Sequence, residues 1–289
     1  HGEGHSFPTR RSSDLPPVAN NFVAGEDVEG VLSHVADIND RGIRGIVNLL
    51  GEHYDDPSDA AADTDTYLEL VERIDAADLD CCVSVKPSQV GLDVGTDAFR
   101  ESLGRIVERA DDRGVFVWVD MEGHETTDAT LDAFEENARA YGDVGVCVQA
   151  NLKRTEEDLR RLADLPGKVR LVKGAYDEPK RIAYRDKATV DEKYREYLDF
   201  MFREFDGGIA VGSHDVQMVN YAADRYREYG TPFEVQMLMG VREDLQDELT
   251  ESMPVYQYVP YGPKWFSYFT RRVRERKENA LFALRAVLG

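Results

Sequence analysis

Residues 115–149 read VFVWVDMEGHETTDATLDAFEENARAYGDVGVCVQ, and this stretch contains one full repeat of the pattern that decides the fold. It begins and ends with apolar runs rich in β-branched residues, at 115–119 and 144–149. Runs that are apolar throughout are typical of parallel strands buried on both faces of a sheet. Between them, apolar residues recur at the three- and four-residue spacing of an amphipathic helix: Leu131, Phe134, Ala138 and Tyr141.

The same alternation of strand and helix continues along the chain. Eight apolar runs are present, at 45–50, 81–85, 115–119, 144–149, 169–172, 208–212, 233–238 and 255–259. Eight such units in about 250 residues match the repeat number and size of a (βα)8 barrel of the TIM type. A doubly wound open sheet is the alternative, but no Gly-x-Gly-x-x-Gly sequence follows the first strand. We therefore predict an α/β fold with a closed barrel.

Helix ends are predicted from residues that satisfy unpaired backbone groups. Hydroxyl side chains that can accept bonds from first-turn amides stand at three helix starts: Thr96, Thr127 and Thr155. Glycines that can adopt a left-handed conformation stand at three helix ends: Gly114, Gly142 and Gly230.

The composition indicates a globular protein with a strongly acidic charge. Hydrophobic residues make up 42% of the 289 residues, and no apolar run reaches the roughly 18 residues of a membrane-spanning helix. Acidic residues outnumber basic ones by 56 to 35, and the net charge is −21. This field repels phosphate backbones and excludes nucleic-acid binding as the main function. The bases are 9 lysines and 26 arginines, a balance that we interpret as a halophilic type of surface. Ordinary acidic solubility is the alternative.

Two further features bear on location and domain limits. Three cysteines, Cys81, Cys82 and Cys147, provide neither a disulfide framework nor zinc-ligand spacing, and this fits a reducing cytoplasm. Residues 1–15 (HGEGHSFPTRRSSDL) are poor in apolar residues, and we expect them to form an atypical leader outside the fold. We expect residues 16–289 to form a single domain.

Polar residues gather where the predicted strands end. In a parallel barrel these ends share one face, where active sites of this fold lie. Seven of the eight ends carry a polar or ionisable residue. The residues at or just after the ends are Glu52, Lys86, Asp120, Gln149, Lys173, Gly174, Ser213, His214, Leu238 and Tyr258. A lysine or aspartate at one strand end is usually a solvated loop residue, but seven on one rim indicate a site.

Several motifs resemble those of one enzyme family, in the same order along the chain. They are SVKPSQVGL (84–92), VDMEG (119–123), QANLKRTEEDL (149–159), RLVKGAYDEP (170–179), GSHD (212–215), FEVQMLMGVREDLQ (233–246) and YVPYGPKWFSYFTRRVRERKENALF (258–282). The chain from about Phe22 to its end resembles the FAD-dependent proline dehydrogenases, in particular monofunctional, haloarchaeal-like members. The resemblance implies a distorted (βα)8 barrel with the final helix folded over its C-terminal mouth.

The resemblance also implies an activity and its residues. The family oxidises L-proline to 1-pyrroline-5-carboxylate by hydride transfer from proline C5 to N5 of FAD, the first step of proline catabolism. Arg170 would approach flavin N5, and the other expected FAD-binding residues are Met121, Gln149, Lys173, Gly174, Ala175, Ser213 and His214. Asp120 matches an active-site acid of the family.

The substrate residues implied by the resemblance surround the proline carboxylate. Lys86, Arg271 and Arg272 would hold the carboxylate, while Tyr258 and Leu238 would shape the pocket. Glu52 would pair with Arg271 as a gate. A solvated basic helix face is the alternative interpretation of the arginine pair. Pro87 and Asn151 depart from the family pattern, which has an aliphatic and an aromatic residue there. No metal site is expected.

Two other functions remain open at this point. A lyase or aldolase-type barrel would use Lys86 or Lys173 as a Schiff-base amine, and a non-catalytic barrel would bind a ligand without a cofactor. For the dehydrogenase we expect a quinone-type electron acceptor and a separate pyrroline-5-carboxylate dehydrogenase as partners, and no nucleic acid. We expect a cytoplasmic enzyme that reaches the membrane surface through its acceptor.

The acidic surface predicts a dependence on salt. The 21 surplus negative charges repel one another in dilute buffer, and salt screens this repulsion within about 10 Å at 0.1 M. We expect activity and melting temperature to fall when the protein is dialysed from molar salt into low-salt buffer. Retention of both values at low salt would refute the halophilic interpretation.

Overall fold

Eight parallel strands close into a barrel in the computed structural model, which describes residues 19–270. Each strand pairs with its neighbour in sequence, and the eighth pairs with the first. The strands are β1 (Arg44–Leu49), β2 (Cys81–Val85), β3 (Val117–Val119), β4 (Val144–Gln149), β5 (Lys168–Val172), β6 (Ile209–Gly212), β7 (Phe233–Leu238) and β8 (Val255–Tyr261). The predicted barrel is confirmed, and every strand overlaps its predicted run.

Helices surround the barrel and connect its strands. They are α1 (Val28–Asn39), α2 (Pro57–Ala76), α3 (Thr96–Asp112), α4 (Thr127–Tyr141), α5 (Thr155–Leu162), α6 (Lys187–Glu204), α7 (Val216–Tyr229) and α8 (Glu243–Thr250), with short 3-10 turns at Ala19–Asn21 and His124–Thr126. Their apolar faces pack on the outer face of the sheet, where valine, leucine and isoleucine form the main core.

The helix α1 is the main departure from a regular barrel. It precedes β1 and packs against both β1 and β8, on the outer surface that a helix after β8 would otherwise cover. The chain after β8 is therefore free to take another course. Residues 265–270 are helical, and Tyr268 among them lines the cavity at the barrel mouth. The described start of the final helix thus lies over the mouth, while residues 271–289 lie outside the described part.

The predicted threonine caps are wrong, because none of the three helices concerned has a side-chain cap. Side-chain caps occur at other helices, where the capping residue is aspartate. Carboxylates accept bonds from first-turn amides at four helix starts: Asp27, Asp56, Asp186 and Asp215. A carboxylate accepts this bond and also interacts favourably with the positive end of the helix dipole. Thr96, Thr127 and Thr155 are instead the first helical residues. The predicted glycines at the helix ends are confirmed, since all three have positive φ: Gly114, Gly142 and Gly230.

The barrel interior depends on one close approach between neighbouring strands. Trp118 of β3 is fully buried and lies against Gly145 of β4, its register partner. A Cβ on Gly145 would lie 2.5–3.0 Å from three carbon atoms of the indole ring. Glycine is therefore required here to leave space for the ring, not to give the backbone freedom.

We predict that Gly145→Ala destabilises the barrel by about 1–3 kcal/mol, because the added methyl group must displace the indole ring or the strand. The matched control is Gly104→Ala, in α3, where an added Cβ meets nothing within 4 Å. Alanine is the better helix former, so this control should be neutral or stabilising. Thermal melting of the two variants checks both expectations, and equal melting temperatures would contradict the packing argument.

Candidate active site

A cavity of about 720 Å³ opens at the C-terminal ends of the strands. Most of the predicted site residues that the structure describes line it: Lys86, Asp120, Met121, Arg170, Lys173, Gly174, Ala175, Ser213, His214, Leu238 and Tyr258. Its volume lies within the range of about 300–1,000 Å³ that is usual for small-molecule sites. The strand ends therefore bring together residues that are up to 172 positions apart in the sequence, from Lys86 to Tyr258.

The carboxylate of Asp120, just after β3, is the centre of the site. Its Oδ2 accepts hydrogen bonds from Lys86 Nζ at 3.1 Å and from the Tyr258 hydroxyl at 2.7 Å. Its Oδ1 accepts from Ser84 Oγ at 2.8 Å and from Arg170 Nη2. Four donors from β2, β5 and β8 thus converge on one buried acid.

The charges of this cluster stabilise one another. Burial by itself would raise the pKa of the Asp120 carboxyl, but Lys86 and Arg170 outweigh it and hold this pKa well below its usual range. Burial would likewise lower the pKa of Lys86, and the facing Asp120 raises it instead. Burial would also lower the pKa of Arg170, but Cys147 and Asp120 raise it. The site therefore holds two cations and one anion.

Arg170 of β5 is fixed on several sides. Its Nη1 donates to Gln236 Oε1 at 3.0 Å while its Nη2 pairs with Asp120. The guanidinium carbon lies 5.0 Å from the centre of the Trp118 ring and 5.9 Å from that of Tyr258. Such cation–π contacts stabilise a buried arginine without removing its charge.

The β5 and β6 ends form the other part of the cavity. Gly174 has φ +108°, which favours glycine, and a Cβ there would collide with the side chain of Asn151. Backbone therefore borders the cavity here. The ammonium of Lys173 donates to Asp191 and, at 2.8 Å, to Asp215. The ring of His214 accepts a bond from the Leu238 amide at 3.3 Å. A hydroxyl, an imidazole and an ammonium group therefore border this part of the cavity, with the carboxylates of Asp191 and Asp215 on the ammonium.

Four predicted site residues do not line the described cavity. The Gln149 amide donates to the Glu122 carbonyl at 3.0 Å, at the adjacent strand end. Glu52 follows β1 and is partly exposed. Arg271 and Arg272 lie outside the described residues. The roles of these four residues stay predictions.

Other residues of the site were missed by the sequence analysis. Asn48, Cys147, Gln236 and Tyr268 line the cavity, and so does Tyr176, directly after Ala175. Side chains two residues apart on a strand point to the same side of the sheet. Cys147 and Gln236 could therefore have been predicted, because they lie two residues before Gln149 and Leu238. Tyr268 had no comparable signal, because its position depends on the path of the chain after β8.

Glu122 is a further buried acid that the sequence analysis did not single out. Its two carboxylate oxygens accept from the Ser88 amide and hydroxyl, each at 2.7 Å. These bonds hold the turn that follows Lys86 against the loop that follows Asp120. The carboxylate thus fixes how two strand ends of the site sit relative to each other.

Comparison with known proteins now identifies the chain. A family model described as proline dehydrogenase matches residues 31–285. The chain belongs to this family. The predicted proline dehydrogenase family is confirmed, and with it the prediction that the chain is an enzyme of this kind, whereas FAD dependence and the haloarchaeal-like character stay predictions.

Curated relatives support the proline dehydrogenase assignment over nearly the whole chain. A proline dehydrogenase of Deinococcus radiodurans is 38% identical over 282 residues, which cover 94% of this chain and 90% of the relative. Proline dehydrogenase 2 of Bacillus subtilis (strain 168) is 32% identical, with 93% of this chain and 90% of the relative covered.

Solved structures show the same fold. Proline utilization A from Bdellovibrio bacteriovorus, inactivated by N-propargylglycine, superimposes with a TM-score of 0.81 over 88% of this chain at 22% identity. The match covers 32% of that protein, so the chain spans about a third of its length. Within residues 19–270, no helix is long and apolar enough to cross a bilayer. In the same part of the chain, no group of three or more histidine, cysteine or acidic side chains could hold a metal ion.

We predict that Asp120→Asn lowers the free energy of unfolding by about 3–5 kcal/mol at pH 7, because it leaves two buried cations without their anion. The control, Asp80→Asn, removes the exposed pair with Arg44 and should cost less than about 1 kcal/mol.

The pH dependence has a definite sign. Because the folded-state pKa of Asp120 is lowered, its contribution is present above the unfolded value of about 3.9 and is lost as pH falls through the folded value. Urea unfolding should therefore show a constant difference between wild type and Asp120→Asn above about pH 5 that narrows in stronger acid. A difference that grows in acid would contradict the assignment.

Proposed function

We propose that this site oxidises L-proline to 1-pyrroline-5-carboxylate with FAD as cofactor. The observation that carries the proposal is the cluster in which Asp120 holds Lys86 and Arg170 as buried cations on the cavity wall, in a chain of the proline dehydrogenase family. A cationic pocket beside a cavity of this size suits a small amino acid bound next to a planar cofactor.

Lys86 binds the substrate carboxylate in this proposal. Its side chain is largely buried and its charge is maintained by Asp120, so it offers a desolvated cation to an anionic group. Arg271 and Arg272 supply two more donors, and their forked guanidinium groups match a carboxylate. Glu52 balances part of this positive charge as the partner of Arg271.

Tyr258 and Leu238 shape the pocket around the proline ring. The Tyr258 hydroxyl donates to Asp120, which fixes the ring of the tyrosine beside the cations. Leu238 ends β7 on the cavity wall and offers an apolar surface to the methylene groups of the substrate. Together these residues exclude water from the carbon atoms of the bound ring.

The residues at the β3 to β6 ends would hold the cofactor in this proposal. Arg170 and the backbone at Met121 would contact its flavin ring, and Lys173, Gly174 and Ala175 would hold its ribityl and pyrophosphate groups. Ser213 and His214 add polar contacts, and Gln149 contributes from the neighbouring strand end. When bound, FAD supplies the acceptor for the hydride that leaves proline C5.

The positive charge of the site also prepares the substrate. Oxidation removes a hydride from C5 and a proton from the ring nitrogen, so the C5–N bond becomes double. The amine must first be unprotonated. Lys86 and Arg170 disfavour a second positive charge beside them and so lower the pKa of the bound amine. Asp120 limits this excess charge to what one substrate carboxylate can neutralise.

The partners and location follow from this chemistry as proposals. A quinone-type acceptor takes the electrons, and a separate pyrroline-5-carboxylate dehydrogenase consumes the product. The enzyme is cytoplasmic and meets the membrane surface only through its acceptor. Its acidic surface adapts it to high salt.

The Schiff-base alternative is disfavoured by the state of the candidate amines. A nucleophilic lysine needs a lowered pKa, but the pKa of Lys86 is raised by Asp120. The amine of Lys173 is engaged in ion pairs with two carboxylates, Asp191 and Asp215. One absorbance spectrum of the purified protein distinguishes the dehydrogenase from a non-catalytic barrel without a cofactor.

We predict that the purified protein is yellow and that anaerobic L-proline bleaches its absorbance near the flavin maximum. Lys86→Met should keep FAD and raise the proline KM at least about tenfold, because one charged hydrogen bond is worth about 1.5–3 kcal/mol. The control is Lys180→Met, the same change at an exposed position. A colourless wild-type protein, or one that proline does not bleach, would refute the proposed function.

A further inference from the structure

Strand β7 carries two buried polar side chains inside the barrel: Gln236, which lines the cavity, and Glu234, two residues before it. Glu234 and Gln236 are only 6% and 5% exposed, and they lie two residues apart, so both point inward. The Gln236 Nε2 donates to Glu234 Oε1 at 2.7 Å. The other oxygen of Glu234 accepts from Lys168 Nζ, also at 2.7 Å. The proposed chemistry uses neither Glu234 nor Lys168.

These bonds belong to a series of hydrogen bonds that leads to Arg170. Lys168 donates to Glu234, which accepts from Gln236, whose carbonyl oxygen accepts from Arg170 Nη1 at 3.0 Å. Arg170 then donates to Asp120 with its other terminal nitrogen. This series of hydrogen bonds therefore connects the lower part of the barrel with the centre of the site.

The orientation of the Gln236 amide in this series of hydrogen bonds follows from the chemistry of Glu234. An ionised carboxylate can only accept, so Glu234 binds the amino end of the Gln236 amide. This turns the carbonyl end of Gln236 toward Arg170. Lys168 compensates the buried charge of Glu234, and Glu234 in turn raises the pKa of Lys168 although burial would lower it. The same ammonium lies 4.9 Å from the centre of the Phe116 ring.

We propose that Gln236 and Glu234 are positioning residues that fix the guanidinium plane of Arg170 toward the cofactor. A guanidinium held through one nitrogen can swing about that bond, whereas anchors on both terminal nitrogens define its plane. Asp120 is one anchor and Gln236 is the other. This inference rests on the proposed function, in which Arg170 faces the flavin.

The test compares two buried glutamines that differ only in what they face. Gln236→Met removes the acceptor for Arg170 at similar side-chain volume. Gln257→Met is the matched control on β8, where the fully buried Gln257 donates to Gln246 at 2.9 Å and accepts from His34 at 2.7 Å, away from the cavity lining. Both variants bury one thioether and lose hydrogen bonds.

The two variants should differ in kcat, in FAD affinity and in the flavin absorbance spectrum. For Gln236→Met we expect a fall of about tenfold in kcat, a rise of about tenfold in the FAD dissociation constant, and a shifted flavin absorbance spectrum. The proline KM should change by less than about threefold, because Lys86 is untouched. Gln257→Met should keep kcat, FAD affinity and spectrum at wild-type values, even if its melting temperature falls.

A second variant tests the orientation itself. A glutamine at position 234 can donate as well as accept, so Glu234→Gln no longer dictates which end of Gln236 faces Arg170. It should show the same spectral shift, with a smaller loss of FAD affinity than Gln236→Met. If Gln236→Met protein does not fold, Glu234→Gln decides the question.

The outcomes distinguish this inference from the proposed function. If the wild-type protein lacks flavin or is not bleached by proline, the proposed function fails. If the wild type is bleached and Gln236→Met or Glu234→Gln matches Gln257→Met in FAD affinity and spectrum, only the positioning role fails. A loss confined to thermal stability would likewise overturn it.

Discussion

Asp120 places one carboxylate between two buried cations, and the arrangement of the site depends on that contact. Without the anion, Lys86 and Arg170 would repel each other in a region from which water is largely removed. Because the donors come from different strands, the same contact also joins β2, β3, β5 and β8 at their C-terminal ends. A fully apolar cluster could pack as well or better, so the stability of the barrel does not by itself require these charges.

The architecture was predictable because it repeats. Each strand lies in a short run rich in apolar residues, and each helix has one apolar stripe, so the two patterns can be told apart along the sequence. The mouth residues were predictable for a related reason: parallel strands end on one face, whatever their distance in sequence. Lys86 and Asp120 were predicted from their positions at strand ends, whereas Arg170 was predicted from the family resemblance of the motif RLVKGAYDEP.

What was missed has a physical explanation as well. Glu234 and Gln236 lie within a stretch that was treated as one apolar run. Because side chains two residues apart on a strand point to the same side, the two could have been recognised as a polar pair facing the barrel interior. The threonine caps failed because the three threonines are already the first helical residues, and the residues before them, Gly95, Thr126 and Arg154, make no side-chain cap bond. The place of Tyr268 could not be read locally, since it depends on α1 covering the flank of β8.

The displaced helix α1 has a consequence for the order in which the molecule is made. The chain emerges from the ribosome from its N-terminal side, so α1, which covers the outside of β1 and β8, emerges before either strand. The barrel can close as soon as β8 is available. Tyr268 emerges only after all eight strands. The part of the cavity wall that Tyr268 forms is therefore added to the nascent chain after the strands that form the rest of it.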